Sequence, residues 1–149
     1  MRRWVHRARR EDGAALIEAA FTLPIMLLVC IGILEFGRAY QAWQVVTNAS
    51  REGARIAVLP EYPNASVTAR VRTYLTNGGL EAAKVAATNV VITETTVPIS
   101  GAVTAPAARV RVEYPFEFMV LQPVASLVAG DAAVGGAFTM VATTVMRNE

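Results

Sequence analysis

AALIEAAFTLPIMLLVCIGIL, residues 14–34, is the stretch that decides how this chain is built. It is 21 residues long with a single charge, Glu18. At about 1.5 Å per residue, a helix of that length spans a hydrocarbon core of about 30 Å. A secretory signal has a shorter apolar run, about 7–15 residues, ends at a small-x-small cleavage site and carries no carboxylate. The stretch therefore reads as a membrane-spanning helix.

Before it lies a short basic leader, residues 1–13, with Arg2, Arg3, Arg7, Arg9 and Arg10 against Glu11 and Asp12. Only Arg38 follows closely on the other side, so the positive-inside rule places the leader in the cytoplasm and the C-terminal part across the membrane. The leader also holds all of the chain's basic excess. Its surplus of three charges leaves the remaining 136 residues at −1, since the whole sums to +2. A nucleic-acid partner is thereby excluded, because a phosphate-binding surface needs its cations on the folded part.

After Leu34 no proline interrupts EFGRAYQAWQVVTNASREGARIAV, residues 35–58, and the helix is expected to continue to about Val58, a length of roughly 67 Å from Ala14. Phe36, Tyr40, Trp43 and Thr47 recur on it as one stripe. Tyr40 and Trp43 suit either the outer membrane interface or packing beneath a sheet. The pairs Glu35/Arg38 and Glu52/Arg55 add only about 0.2–0.5 kcal/mol each and do not drive the helix. Ala49, Gly53 and Ala57 form a ladder of small residues that lets another element approach closely, and Gly53 at mid-helix costs about 1 kcal/mol unless such an approach explains it. Alanine's own helix propensity explains the rest of the ladder nearly as well. Pro24 removes one backbone hydrogen bond and is expected to bend the membrane helix.

Beyond the PEYP sequence at 60–63, residues 59–149 read as a small exported α+β domain. Val67, Val71, Tyr74 and Leu75 share a helical face that stops at Gly78 and Gly79. Residues 88–97 and 109–114 are β-branched or alternate with a period of two, as do Phe138, Met140, Ala142 and Thr144 against Thr139, Val141, Thr143 and Val145 in the tail. Residues 98–108 read as a turn-rich connection, and 115–134 as a loop with one helical turn. The expected architecture is an antiparallel sheet of three or four strands, with the outer half of the long helix as its cover.

Composition limits the chemistry. With 149 residues, 54% hydrophobic and 17% charged, the chain has room for one small domain. One cysteine, Cys30, excludes an intramolecular disulfide, and one histidine, His6 among the leader arginines, leaves no basis for a triad or a multi-histidine metal site. Neither a catalytic residue nor a cofactor or metal is called for. An exported enzyme would have to use scattered carboxylates such as Glu113, Glu117 and Asp131, which are ordinary on an exposed strand face. The Asn64-Ala65-Ser66 sequon is too short a pattern to carry meaning.

A basic leader ending in Gly13, an apolar helix after it, and a glutamate at the fifth position from Ala14 together resemble a type IV prepilin cleavage region. The longer run of residues 13–58, with LP inside the apolar segment, then EFGRA and NASREGAR, resembles the TadE-like family of minor pilin-like proteins in Flp/Tad pilus systems. The VMRNE ending is weakly similar to the family's last strand. Residue 19 is Ala, where the family more often has an aromatic. The chain is also much longer than a major Flp pilin, which favours a minor or initiating subunit. The resemblance implies cleavage between Gly13 and Ala14 by a prepilin peptidase. It also implies a single-pass protein of the bacterial inner membrane that contacts lipid, other pilin-like subunits and the pilus assembly platform, with possible incorporation into an extracellular pilus.

Glu18 can be read physically beside that resemblance. A carboxylate within a membrane helix costs about 2.5–3.5 kcal/mol at the bilayer centre and calls for a partner. The α-amine freed at Ala14 of a staggered neighbour would be one and would fix axial register. Alternatively, Glu18 sits one turn inside the interface, favoured by the helix dipole and reaching back to water. The second functional class is an uncleaved, signal-anchored protein whose exported domain binds an envelope or extracellular partner.

Overall fold

A computed structural model describes residues 3–100, 103–129 and 138–148, with the side chains of 3–12, 128 and 129 outside that description. Helix α1 runs from Arg3 to Ala57 without a break at Pro24. It starts within the leader, eleven residues ahead of Ala14, where Arg, Ala and Glu are all good helix formers. Helix α2 follows at Asn64–Asn77 and a short α3 at Ala82–Ala86. Three strands, β1 (Asn89–Ser100), β2 (Val103–Phe116) and β3 (Phe138–Arg147), form an antiparallel sheet in the order β1-β2-β3. Between β2 and β3 lies α4, Leu121–Ala129. The class is α+β, a long apolar helix followed by a small domain with a three-stranded sheet.

The alternation in the strands sets which face is covered. On β2, Val110, Val112 and Tyr114 are buried while Arg109 and Arg111 are exposed. Val112 pairs with Val90 on one side and Ala142 on the other. The outer half of α1 and α2 lie on that face, with Val46, Ala49, Val67, Val71, Leu75 and Met140 completing the core. Helix α2 ends where the glycines predict. Gly79 takes φ +81, Gly79 N–H donates to the Thr76 carbonyl at 3.0 Å, and Leu80 N–H donates to the Leu75 carbonyl at 3.2 Å. These two bonds form the glycine-dependent cap that satisfies the last carbonyls.

Three sequence expectations are corrected. Residues 98–108 are mostly strand, because Pro98 sits on an edge strand beside a register shift and Pro106 lies just past the last β2–β3 pair, where a missing N–H is tolerated. Residues 101 and 102, within that expected connection, lie outside the described residues. The 115–134 segment holds a two-and-a-half-turn helix rather than one turn, since Pro123 falls in the first turn, where its absent donor is not needed. Of the two readings left open for Tyr40 and Trp43, packing beneath the sheet fails: Phe36, Tyr40 and Trp43 are exposed, and Ala42, Val46, Ala49, Gly53 and Ala54 lie inward instead. Small residues win there because the sheet and α2 come close to the α1 backbone.

Candidate functional site on the long helix

The inner half of α1 is an apolar surface without cover. Its most apolar 18-residue window has mean hydropathy 2.3 and none of it is buried, which is compatible with single-pass membrane anchoring. Leu16, Ile17, Phe21, Ile25, Leu27, Ile33 and Leu34 are all exposed. Glu18 is exposed among them and lines a shallow groove on the helix with Ala15, Ala19, Thr22 and Leu23. Gly13 and Ala14 precede it by about one turn, and a Cβ placed on Gly13 would meet nothing within 4 Å. Cys30 is exposed on the same half.

The outer half carries the small-residue ladder. Gly53 is buried, and a Cβ there would lie 2.6 Å from Val71 Cγ2 and 3.2 Å from Val110 Cγ1. It therefore marks the point where α1, α2 and the central strand meet. Ala49 is fully buried and Ala57 partly so. One turn away Ser50, also fully buried, donates to the Thr47 carbonyl at 2.8 Å and accepts from the Thr144 hydroxyl at 2.8 Å. Glu52 joins α1 to α2 through Arg70 at 3.0 Å.

Where the two halves meet, EFGRA forms a polar node that sequence reasoning read only as a weak surface pair. Glu35 is 6% exposed. Its Oε2 accepts the Met119 backbone N–H at 2.7 Å, and Arg38 reaches it at 3.4 Å. The Arg38 guanidinium also donates to the Glu117 carbonyl at 2.8 Å and lies over the Phe116 ring, 5.0 Å from its centroid. Phe36 meets Phe118 edge-on at 5.7 Å, and Phe116, Phe118 and Phe138 complete an aromatic cluster. The node fastens the end of β2 to the first turn of α1 beyond the apolar run. A charge at the boundary of that run was the available signal, but its partners lie about eighty residues away, beyond the reach of local spacing.

Two of the three carboxylates named above, Glu113 and Glu117, have neighbours of opposite or polar character. Glu113 pairs with Arg111 at 2.7 Å and accepts from Asn89 at 3.0 Å, and Glu117 pairs with Lys84 at 3.4 Å. Asp131 and His6 lie outside the described side chains. Among the described residues no group of three His, Cys, Asp or Glu side chains could hold a metal ion. Tyr114, buried on the covered face, has its hydroxyl pushed above the usual 10.0 by burial, with Lys84 pulling the other way.

A basic leader, an uncovered apolar half-helix from Gly13 and a covered, small-residue half-helix to Arg55 thus form one continuous element. Residues 13–55 match the model of the TadE-like protein family. Neither the curated proteins nor the solved structures contain a match to the chain. The TadE-like match begins at Gly13, ends two residues after Gly53 and falls wholly within α1. Glu18, Pro24, the Glu35/Arg38 node and the Ala49/Gly53 ladder all lie inside it, whereas the sheet that covers its outer half does not.

Proposed function

We propose that this protein is a minor pilin-like structural subunit for assembly of a Flp/Tad-type pilus. In this reading it is inserted with its N-terminus in the cytoplasm, trimmed between Gly13 and Ala14 by a prepilin peptidase, and joined to other pilin-like subunits and the assembly platform through its helix. The observation that supports this best is the division of α1. From residue 35 onward one face of it is covered by the protein's own sheet and α2, while the apolar residues before that are uncovered, as a subunit held first by lipid and then by neighbouring helices requires. Glu18, exposed on that inner half one turn from Ala14, is then placed to meet a neighbour's new α-amine. The protein has no catalytic role of its own in this proposal.

N-terminal sequencing and intact-mass measurement of the protein made with and without a prepilin peptidase test the processing step. A peptidase-dependent terminus at Ala14 is expected. An intact Met1 or Arg2 terminus in both samples would favour an uncleaved, signal-anchored protein whose exported domain binds an envelope partner. Glu18→Ala is expected to abolish co-purification with other pilins. Unaltered assembly in that variant would remove the register role.

A further inference from the structure

The end of the domain nearest the apolar half-helix carries an open apolar surface. Met119 is 71% exposed and Leu127 on α4 is 84% exposed, with Phe36, Val120 and Phe138 exposed beside the aromatic cluster. Helix α4, LQPVASLVA, contains no charged residue. Its place along α1 is set by the node, because Glu35 holds the Met119 N–H and Arg38 holds the Glu117 carbonyl. Leu121, the first residue of α4, follows Met119 by two positions. If the hydrocarbon ends near Leu34, Glu35 and Arg38 lie about 2–6 Å beyond it along the helix, within the headgroup layer, which is roughly 5–8 Å thick on each side.

We propose that α4 and Met119 lie in the headgroup boundary of the bilayer that α1 crosses, so that the exported domain rests on the membrane instead of standing off it. The proposal rests on the reading of residues 14–34 as membrane-spanning. Lipid is the occupant the geometry favours, because exposed Phe36 follows exposed Leu34 by two residues on α1 and meets Phe118, and the next residue, Met119, is bonded to Glu35, so this end of the domain adjoins the end of the apolar run. The absence of charge on α4 further indicates that buried apolar area drives the contact rather than attraction to anionic headgroups.

The test uses the full chain carrying Cys30→Ser and one new cysteine at a time, Leu127→Cys, Met119→Cys, Leu23→Cys or Thr96→Cys, each labelled with an environment-sensitive fluorophore. The proteins are reconstituted in phosphatidylcholine vesicles whose lipids carry a quencher at shallow or deep acyl positions. Labels at 127 and 119 are expected to be quenched by the shallow lipid at least about threefold more than the label at 96, and the label at 23 by the deep lipid. The quenching at 127 and 119 should not change when a third of the lipid is replaced by phosphatidylglycerol, about the fraction that would reveal charge attraction, nor when the protein is diluted in lipid. Quenching at 23 with 119 and 127 as water-accessible as 96 would overturn the proposal and leave the membrane span intact. No quenching at 23 would overturn the span and the proposal together. Protection at 127 that grows with protein density would assign the patch to a second copy of the chain and overturn the lipid contact.

Discussion

Gly32 and Gly53 sit on opposite halves of the same helix, and a methyl group added to each would meet different surroundings. At Gly32 there is nothing within 4 Å; at Gly53 the new atom would stand 2.6 Å from Val71. The inner half presents large aliphatic and aromatic side chains outward and leaves its glycines free. The outer half reverses this, with large aromatics outside and alanine and glycine inside. On the reading proposed above, an identical backbone thus serves two kinds of neighbour, a fluid one that fits any shape and a folded one that dictates shape. The residue sizes along each half record which neighbour it has.

The sharpest way to break this contrast is to place the same side chain on both halves. Gly53→Leu is expected to destabilise the domain by about 3 kcal/mol, because the sheet and α2 cannot move away without losing their own packing. Gly32→Leu should leave the unfolding of a single subunit unchanged, or raise its stability by up to about 1 kcal/mol through helix propensity. Chemical unfolding of the detergent-solubilised chain, followed by Trp43 fluorescence, measures both. Equal effects at the two sites would mean that the halves do not differ in packing.

The two glutamates sharpen the comparison. Glu35→Ala leaves the Met119 N–H without its acceptor, while Arg38 keeps the Glu117 carbonyl, and should cost about 2 kcal/mol, with faster hydrogen exchange at the Met119 amide as its signature. Glu18→Ala should leave unfolding and exchange in an isolated subunit as they were, since its proposed partner belongs to another molecule. A smaller effect, about 1 kcal/mol, is expected for Ser50→Ala, which leaves the Thr144 hydroxyl without its buried partner. Protection of the β3 amides would report that loss.

The smallest effect is a pH dependence confined to the covered half. The Tyr114 hydroxyl holds its proton more tightly folded than unfolded, because burial disfavours the phenolate. Above the usual 10.0 the unfolded chain therefore binds fewer protons than the folded one, and stability falls as pH rises through and beyond that value. Tyr114→Phe should flatten this alkaline decline without altering stability near neutrality beyond the loss of the hydroxyl. Unfolding midpoints measured between about pH 8 and pH 11 bracket the tyrosine range and decide it.

Much of this was legible from spacing. The long apolar helix, the stop at Gly78 and Gly79, and the inward faces of β2 and β3 follow from periods of 3.6 and 2, which act locally. Gly53 stood out because glycine at mid-helix needs a reason. The stripe Phe36, Tyr40, Trp43 left two readings open, membrane interface or cover for the sheet, and the structure removes the second: α2 and the sheet approach too closely on the other face of α1 for anything larger than valine. The polar node was invisible because Glu35 and Arg38 take their deciding partners from main-chain atoms at 117 and 119, and a main-chain partner leaves no mark on side-chain patterning. The strands within 98–108 were hidden by prolines whose tolerance depends on long-range placement: Pro98 on an edge strand, Pro106 just past the last β2–β3 pair.

The bond between Ser50 and Thr144 also sets a clock. The two residues are 94 positions apart, and at about 5–20 residues per second of synthesis the second is made roughly 5–19 s after the first. Until β3 emerges, the glycine and alanine face of α1 has only part of its cover, while the apolar half ahead of it is already available for insertion. If the apolar half is the membrane anchor proposed above, it is complete before the domain can close, and any chaperone or neighbouring helix that engages this face has those seconds in which to do so.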